Sequence, residues 1–197
     1  MKYITLAYVL LLTSFDTKAG MVCDEAAIRA QSVQQIEYLR RWYAKATDSI
    51  GEATELSIRE GRDIYHRIFS EKAAIKAGDG IPDQIGPEAW VEVVLGALGE
   101  LGPTQHLIGT QLVTIDKLEL DDSCDILVGS ADMESYVQAW HERKDDRVWL
   151  FLGTYVDRVQ YSREMGWQIH EMTLLRVGGE TRYMGSVIAR SVPGANE

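Results

Sequence analysis

The sequence lacks the short motifs that mark the common metal, nucleotide and covalent chemistries. It contains no HExxH or CxxC motif, no GxSxG nucleophile elbow and no glycine-rich phosphate loop. Only two cysteines are present, Cys23 and Cys124, and their spacing is unlike that of a metal site. The sequence therefore predicts no metal ligands and no cofactor. The cysteines could pair in an oxidising compartment, and their pattern leaves this question open.

Positive charge is also scarce. The 20 Lys and Arg residues against 30 Asp and Glu residues give a formal net charge of −10, and no basic patch with interleaved aromatic residues is present. Such a surface repels nucleic acid and anionic lipid. We therefore expect a small-molecule substrate or ligand and no nucleic-acid partner.

No apolar run is long enough for an ordinary membrane span. The run at residues 3–15 has 13 residues, whereas about 20 are needed to cross a bilayer. Lys2 precedes this run and small residues stand at the cleavage positions around Ala19, which predicts a signal peptide over residues 1–19. A short membrane anchor is the alternative. We expect an exported protein, periplasmic or secreted, without stable membrane insertion after signal removal.

Residues 20–197 are predicted to form one domain, because their number suits a single core. Three- and four-residue spacing of apolar side chains predicts a first helix over 24–47: Ile36, Leu39, Tyr43 and Ala46. Further helices are expected at 52–69 and 86–101, with a short strand at 73–77 between them.

The second half of the chain has the composition of β-structure. Four segments rich in Val, Ile, Thr, Tyr and Trp are separated by turn-forming residues: 104–116, 124–142, 147–163 and 167–191. Helices followed by a run of antiparallel strands predict an α+β domain, in which the helices cover one face of a curved sheet.

Strand alternation gives the candidate site residues. It places His106 and Ile108 on one face of a strand, while His141 lies on the next strand and Tyr155 and Asp157 on a third. Histidine exchanges protons at neutral pH, and a carboxylate such as Asp48 can fix its tautomer. The alternatives are that the histidines are structural or exposed and that Asp48 only ends the helix.

Helical geometry argues against a shared role for Tyr43 and Asp48. At about 100° per residue, five positions separate these side chains by roughly 140° around a straight helix. Both can face one pocket only if the helix ends or distorts near residues 46–47. The other two histidines, His66 and His170, are expected at the surface.

The chain resembles the SnoaL-like branch of the nuclear transport factor 2-like superfamily, and within it the scytalone dehydratase type. The resemblance covers about residues 24–191, and its most specific element is TQHLIG at 104–109. Five other segments agree with it in order: YAKATD at 43–48, FSEKAAI at 69–75, WH at 140–141, GTYVD at 153–157 and GWQI at 166–169.

This resemblance implies a cone-shaped barrel with helices over the concave side of a strongly bent mixed sheet and a deep apolar cavity. It implies that Asp48, His106 and His141 support a cofactor-free elimination of water, and that Tyr43 stabilises an enolate as in ketosteroid isomerases. Tyr155 stands where the dehydratase has a pocket serine. With Ile108 and Asp157 it completes the expected substrate-binding set.

Two functions remain open at this point. The first is a lyase or isomerase that uses general acid and base catalysis on a small, partly hydrophobic carbonyl compound. The second is a non-catalytic binder of a small apolar ligand, since this fold supports both. With either function we expect a homo-oligomer, a dimer or trimer.

Overall fold

Three helices and six strands make up the described part of the chain. The computed structural model describes residues 22–78 and 80–183. The elements in chain order are α1 (Glu25–Gly51), α2 (Glu55–Ile68), β1 (Phe69–Lys76), β2 (Gln84–Ile85), α3 (Gly86–Leu98), β3 (Thr104–Leu120), β4 (Ile126–Glu142), β5 (Arg147–Ser162) and β6 (Gly166–Tyr183). The predicted signal peptide and residues 184–191 of the predicted last strand lie outside the described residues.

Local side-chain bonds explain where the first two helices begin. The Asp24 side chain accepts a hydrogen bond from the backbone N–H of Ala27 at 3.0 Å, which caps α1. Thr54 and Ser57 form a reciprocal capping box at the start of α2. The predicted apolar stripe of α1 is buried, but the helix continues four residues past 47, through Gly51. The distortion considered near residues 46–47 is therefore absent.

The six strands form one mixed sheet in the order β2-β1-β6-β5-β4-β3. β1 and β6 are parallel, and every other neighbouring pair is antiparallel. β3 is an edge strand that carries register shifts near Gly109, Ile115 and Glu119. Such bulges bend a strand, and they contribute to the curvature of the sheet.

The predicted α+β class is confirmed, and the main differences are at element boundaries. β1 begins at Phe69, directly after α2 ends at Ile68, rather than at the predicted residue 73. The two-residue strand β2 is missing from the prediction, since it is too short to show a period. The helix expected to reach residue 101 ends at Leu98.

The hydrophobic core lies between the three helices and the concave face of the sheet. Its members alternate along β4 and β5, while α1 contributes one stripe and α3 contributes Trp90, Val91 and Val94. The sheet face on the other side is open to solvent within the described residues. No helix in the described ranges is long and apolar enough to cross a bilayer.

A disulfide joins Cys23 to Cys124, with their Cα atoms 5.4 Å apart. It connects the residue before the Asp24 cap of α1 to the turn between β3 and β4. The pairing that the sequence left open is therefore present in the structure.

Candidate active site

Asp48 lies in the last turn of α1, where its carboxylate meets the edge strand β3. Its Oδ1 atom accepts hydrogen bonds from the backbone N–H of His106 at 3.1 Å and from the Thr104 hydroxyl at 3.2 Å. Because β3 is at the edge of the sheet, this N–H is available to a helix side chain rather than to a neighbouring strand. Backbone and side-chain donors thus fix the carboxylate against the strand.

The imidazole of His106 completes a dyad with this carboxylate. His106 Nδ1 and Asp48 Oδ1 are 2.7 Å apart, and the side chains are only 8% and 17% exposed. A carboxylate oxygen accepts from the ring, so Nδ1 carries the proton and Nε2 of the neutral ring keeps its lone pair. This arrangement can accept a proton at Nε2 and stabilise the resulting imidazolium.

His141 lies beside this dyad, opposite Thr104 in the ladder of β3 and β4. Its ring is perpendicular to that of His106, with centroids 5.4 Å apart, and it stacks on Trp149 at 4.4 Å. Burial, followed by the nearby charge of protonated His106, lowers the pKa of His141 to about 4. The ring is therefore uncharged at neutral pH.

The tautomer of His141 follows from its bond to the backbone. Nδ1 lies 3.2 Å from the carbonyl oxygen of Trp149. Since a carbonyl only accepts, Nδ1 is the protonated nitrogen and Nε2 is an acceptor. Among the described residues, no hydrogen bond reaches Nε2 of either His106 or His141. The site thus presents two imidazole lone pairs next to one buried carboxylate.

Three other predicted site residues, Tyr43, Tyr155 and Asp157, form a separate buried cluster. Asp157 pairs with Arg40 of α1 through both carboxylate oxygens, and both side chains are fully buried. The Arg40 guanidinium lies over the rings of Tyr43 and Tyr155, 4.5 and 3.8 Å from their centroids. No hydrogen bond or ring contact within residues 22–78 and 80–183 joins this cluster to the dyad.

Burial also changes the ionisation of the cluster. It raises the pKa of Asp157, an effect that the positive charge of Arg40 opposes. Burial and the neighbouring Tyr43 raise the pKa of Tyr155 well above its ordinary value. Tyr155 therefore remains a neutral phenol, and Asp157 has its oxygens occupied by a protein partner.

The hydroxyl of Tyr43 is likewise occupied. It accepts a hydrogen bond from Trp90 Nε1 at 3.1 Å, and its ring stacks on Tyr65. α1 continues without a break to Gly51. Tyr43 and Asp48 therefore lie on different sides of the helix, as expected for side chains separated by roughly 140° around its axis. The placement of Tyr43 beside the histidines is thus not found, because it needed a distortion that the helix does not have.

Ile108, His66 and His170 belong to neither the dyad nor the buried cluster around Arg40. Ile108 is partly buried, packs against the hydrophobic core from β3 and also contributes to the lining of a groove on the other face of the sheet. His66 is 38% exposed and lies 3.2 Å from both Glu71 and Glu88. His170 is partly buried, and burial lowers its pKa. In the described ranges, no three His, Cys, Asp or Glu residues are grouped so that they could hold a metal ion.

Three residues of the two clusters, Arg40, Thr104 and Trp149, are not among the candidates that the sequence pattern predicts. Arg40 falls on the buried stripe of α1, three residues before Tyr43, and a charge on an apolar stripe could have indicated an interior partner. Thr104 shares a strand face with His106, which was also visible. Trp149 meets His141 only through the pairing register of β4 and β5, and no local pattern encodes that register.

A groove of about 490 Å³ lies on the other face of the sheet, away from the dyad. Leu107, Tyr136, Leu152 and Val177 line it, and each of these side chains is more than a third exposed. The groove is therefore part of an exposed apolar surface and separate from the interior chemistry.

Comparison with known proteins gives a family match. A family model described as a SnoaL-like domain matches residues 61–173, a range that contains His106 and His141 and begins after Asp48. No curated protein matches the chain.

Solved structures of low sequence identity share the fold. The Kfla4162 protein from Kribbella flavida is 19% identical, with a TM-score of 0.61 over 77% of this chain and 95% of that one. The hexachlorocyclohexane dehydrochlorinase LinA-type3 from Novosphingobium barchaimii LL02 is 11% identical, with a TM-score of 0.60 over 84% and 97%. A protein provisionally named a scytalone dehydratase from Novosphingobium aromaticivorans is 14% identical, with a TM-score of 0.55 over 79% and 88%.

Proposed function

The chain belongs to the SnoaL-like domain family, and from this premise we propose a cofactor-free general acid–base enzyme. Its reaction is of the dehydratase or isomerase type, and its substrate is a small, partly hydrophobic carbonyl compound. The observation that carries the proposal is the 2.7 Å contact between His106 Nδ1 and Asp48 Oδ1, buried beside a second imidazole.

The proposed reaction begins with proton abstraction. His106 Nε2 takes a proton from the carbon next to the carbonyl, and the electron pair of the broken C–H bond forms an enolate. Asp48 stabilises the imidazolium that results. In an elimination, the enolate electrons then form the new C=C bond while the C–O bond breaks, and His106 returns the proton to the departing hydroxyl as water. In an isomerisation, the proton returns to another carbon.

His141 takes a different part in this proposal. Because Nδ1 donates to the Trp149 carbonyl and burial keeps the ring uncharged, Nε2 cannot supply a proton at neutral pH. It accepts a hydrogen bond from a hydroxyl or N–H group of the substrate and orients that group toward the dyad. The neutral ring also avoids repulsion when His106 becomes charged.

The test is removal of the proposed base. The ligand is first identified by mass spectrometry of small molecules that copurify with the protein, and turnover is then measured on that compound and on hydroxy-ketones related to it. General acid–base catalysis contributes about 10²–10⁴-fold, so His106→Ala should lose at least that factor. The thermal midpoint should stay within a few degrees. His170→Ala is the matched control, since this histidine belongs to neither cluster.

The outcomes separate the enzyme from a binder. Turnover close to wild type in His106→Ala would remove the proposed base. A compound that copurifies, binds and is never converted would favour the alternative, a non-catalytic binder of a small apolar ligand.

We also propose that the protein is exported and acts in the periplasm or outside the cell. The Cys23–Cys124 disulfide supports this location, because such bonds persist in oxidising compartments. Appearance of the mature protein, beginning after Ala19, in the periplasmic or medium fraction would test it.

We further propose a homo-oligomer, a dimer or trimer, formed through the exposed face of the sheet. The support is its row of exposed apolar side chains, which include Leu107, Leu112, Tyr136, Leu175 and Val177. Sedimentation velocity measures the number of subunits directly.

A further inference from the structure

Thr104 contacts the dyad without belonging to it. It precedes His106 by two residues on β3, so both side chains share one face of the strand. Its Oγ1 donates to Asp48 Oδ1 at 3.2 Å, and the backbone N–H of His106 donates to the same oxygen at 3.1 Å. With His106 Nδ1 at 2.7 Å, one carboxylate oxygen receives three donors from a three-residue stretch of strand.

The space that Thr104 occupies depends on a glycine. A Cβ atom at Gly51, the last residue of α1, would lie 3.2 Å from Thr104 Oγ1 and 3.4 Å from Leu98 Cβ. Contacts at 3.2 Å are tighter than ordinary packing. The absence of a side chain at Gly51 therefore lets the start of β3 approach the last turn of α1, which carries Asp48.

We propose that Thr104 is the positioning residue of the dyad. The terminal torsion of an aspartate is broad, so one contact to the imidazole would leave the carboxylate plane poorly defined. The Thr104 hydroxyl and the His106 N–H together hold Oδ1 facing Nδ1. This keeps the imidazole proton on Nδ1 and the lone pair on Nε2. The proposal rests on the proposed function, in which that lone pair takes the substrate proton.

The experiment needs no substrate. In ¹⁵N-labelled protein, the two ring nitrogens of His106 give different NMR shifts when protonated and unprotonated, and these shifts report the tautomer of the neutral ring. Wild type is compared with Thr104→Val, which removes the hydroxyl, and Thr104→Ser, which keeps it. Thr114→Val is the matched control, because Thr114 is an exposed threonine on the same strand. Asp48→Ala, which removes the acceptor oxygens, tests the dyad itself.

The neutral His106 ring should carry its proton on Nδ1 in wild type, Thr104→Ser and Thr114→Val. In Thr104→Val it should become a mixture of both tautomers, while the thermal midpoint falls by no more than about 4 °C, the size expected for one hydrogen bond. A merely structural role would lower the midpoint and leave the tautomer unchanged. If Thr104→Val does not fold, Thr104→Ala against Thr104→Ser makes the same comparison.

Three results would overturn the proposal in distinguishable ways. A wild-type tautomer in Thr104→Val, together with a changed tautomer in Asp48→Ala, would support the dyad and refute the role of Thr104. An unchanged tautomer in Asp48→Ala would show that the carboxylate does not control the ring, and the proposed function would then fail with it. A mixed tautomer in Thr104→Ser would also refute the part assigned to the hydroxyl.

Discussion

At the scale of single residues, His141 shows how position in the fold changes the chemistry of a side chain. An ordinary histidine titrates near pH 6.5. Here burial, with a further contribution from His106, lowers the pKa to about 4, and Trp149 supplies the carbonyl that accepts the Nδ1 proton. The residue that looked like a second acid or base in the sequence is a neutral acceptor in the structure.

This shift predicts a pH dependence of stability. Between pH about 6.5 and about 4 the unfolded chain protonates this histidine and the folded chain does not, so acid favours the unfolded state. The contribution of His141 to the free energy of unfolding is fully present above pH about 6.5. It should fall by an amount on the order of 3 kcal/mol as the pH drops to about 4.

Urea unfolding across this pH range, in wild type and in His141→Asn, measures the effect. Asparagine keeps a donor for the Trp149 carbonyl but does not titrate. The carboxylates titrate in both proteins, so the difference between the two curves isolates the histidine. Parallel curves across this range would show that the pKa of His141 is not lowered.

At the scale of elements, the crossing of α1 and α2 depends on one glycine. A Cβ atom at Gly61 would lie 2.5 Å from Ile50 Cγ1 and 2.7 Å from the backbone oxygen of Ala46. Real Cβ atoms do not approach a backbone oxygen so closely, so a side chain here must move the helices apart. The residues it would displace flank Asp48 on α1.

Gly61→Ala should therefore destabilise the protein by about 1–3 kcal/mol through overpacking. Gly96→Ala is the control within another helix, α3, because a Cβ atom there meets nothing within 4 Å. That substitution should stabilise the fold by up to about 1 kcal/mol, since alanine favours helix over glycine. Chemical denaturation midpoints that shift in the same direction for both variants would contradict the close crossing.

At the scale of the whole molecule, the disulfide constrains the chain over a long distance. Cys23 and Cys124 are 101 residues apart, so their bond closes a loop of about half the chain. The bond attaches the beginning of α1, whereas Asp48 lies near the end of this 27-residue helix. At 1.5 Å per residue, these two points are separated by about 35 Å.

Replacing both cysteines with serine should lower the free energy of unfolding by about 5 kcal/mol, the value that loop entropy gives for a loop of this length. The His106 tautomer should persist in the folded variant, because the bond acts on the unfolded chain and lies far from the dyad. Guanidinium unfolding and the NMR measurement described above check the two statements. A folded variant that loses the tautomer would show that the disulfide also shapes the site.

Patterns among neighbouring residues were enough to predict the class of the fold and the faces of its main elements. The Ile36, Leu39, Tyr43 and Ala46 stripe is buried on α1, and four β-rich segments became the long strands β3 to β6. Periodicity depends only on neighbouring residues, so it can be recognised without knowing which elements pack against each other. The same helical periodicity, at about 100° per residue, also predicts that Tyr43 and Asp48 lie on different sides of α1.

Only the tertiary structure decided which polar groups meet. Asp48 reaches a strand 58 positions away, and Arg40 reaches Asp157 across 117 positions. These contacts depend on helix length and on bulged strand registers, which are set by packing across the whole core rather than by adjacent residues. The sequence therefore determined which side chains were available for proton transfer, and the folded arrangement of α1 on the sheet determined which of them form the dyad.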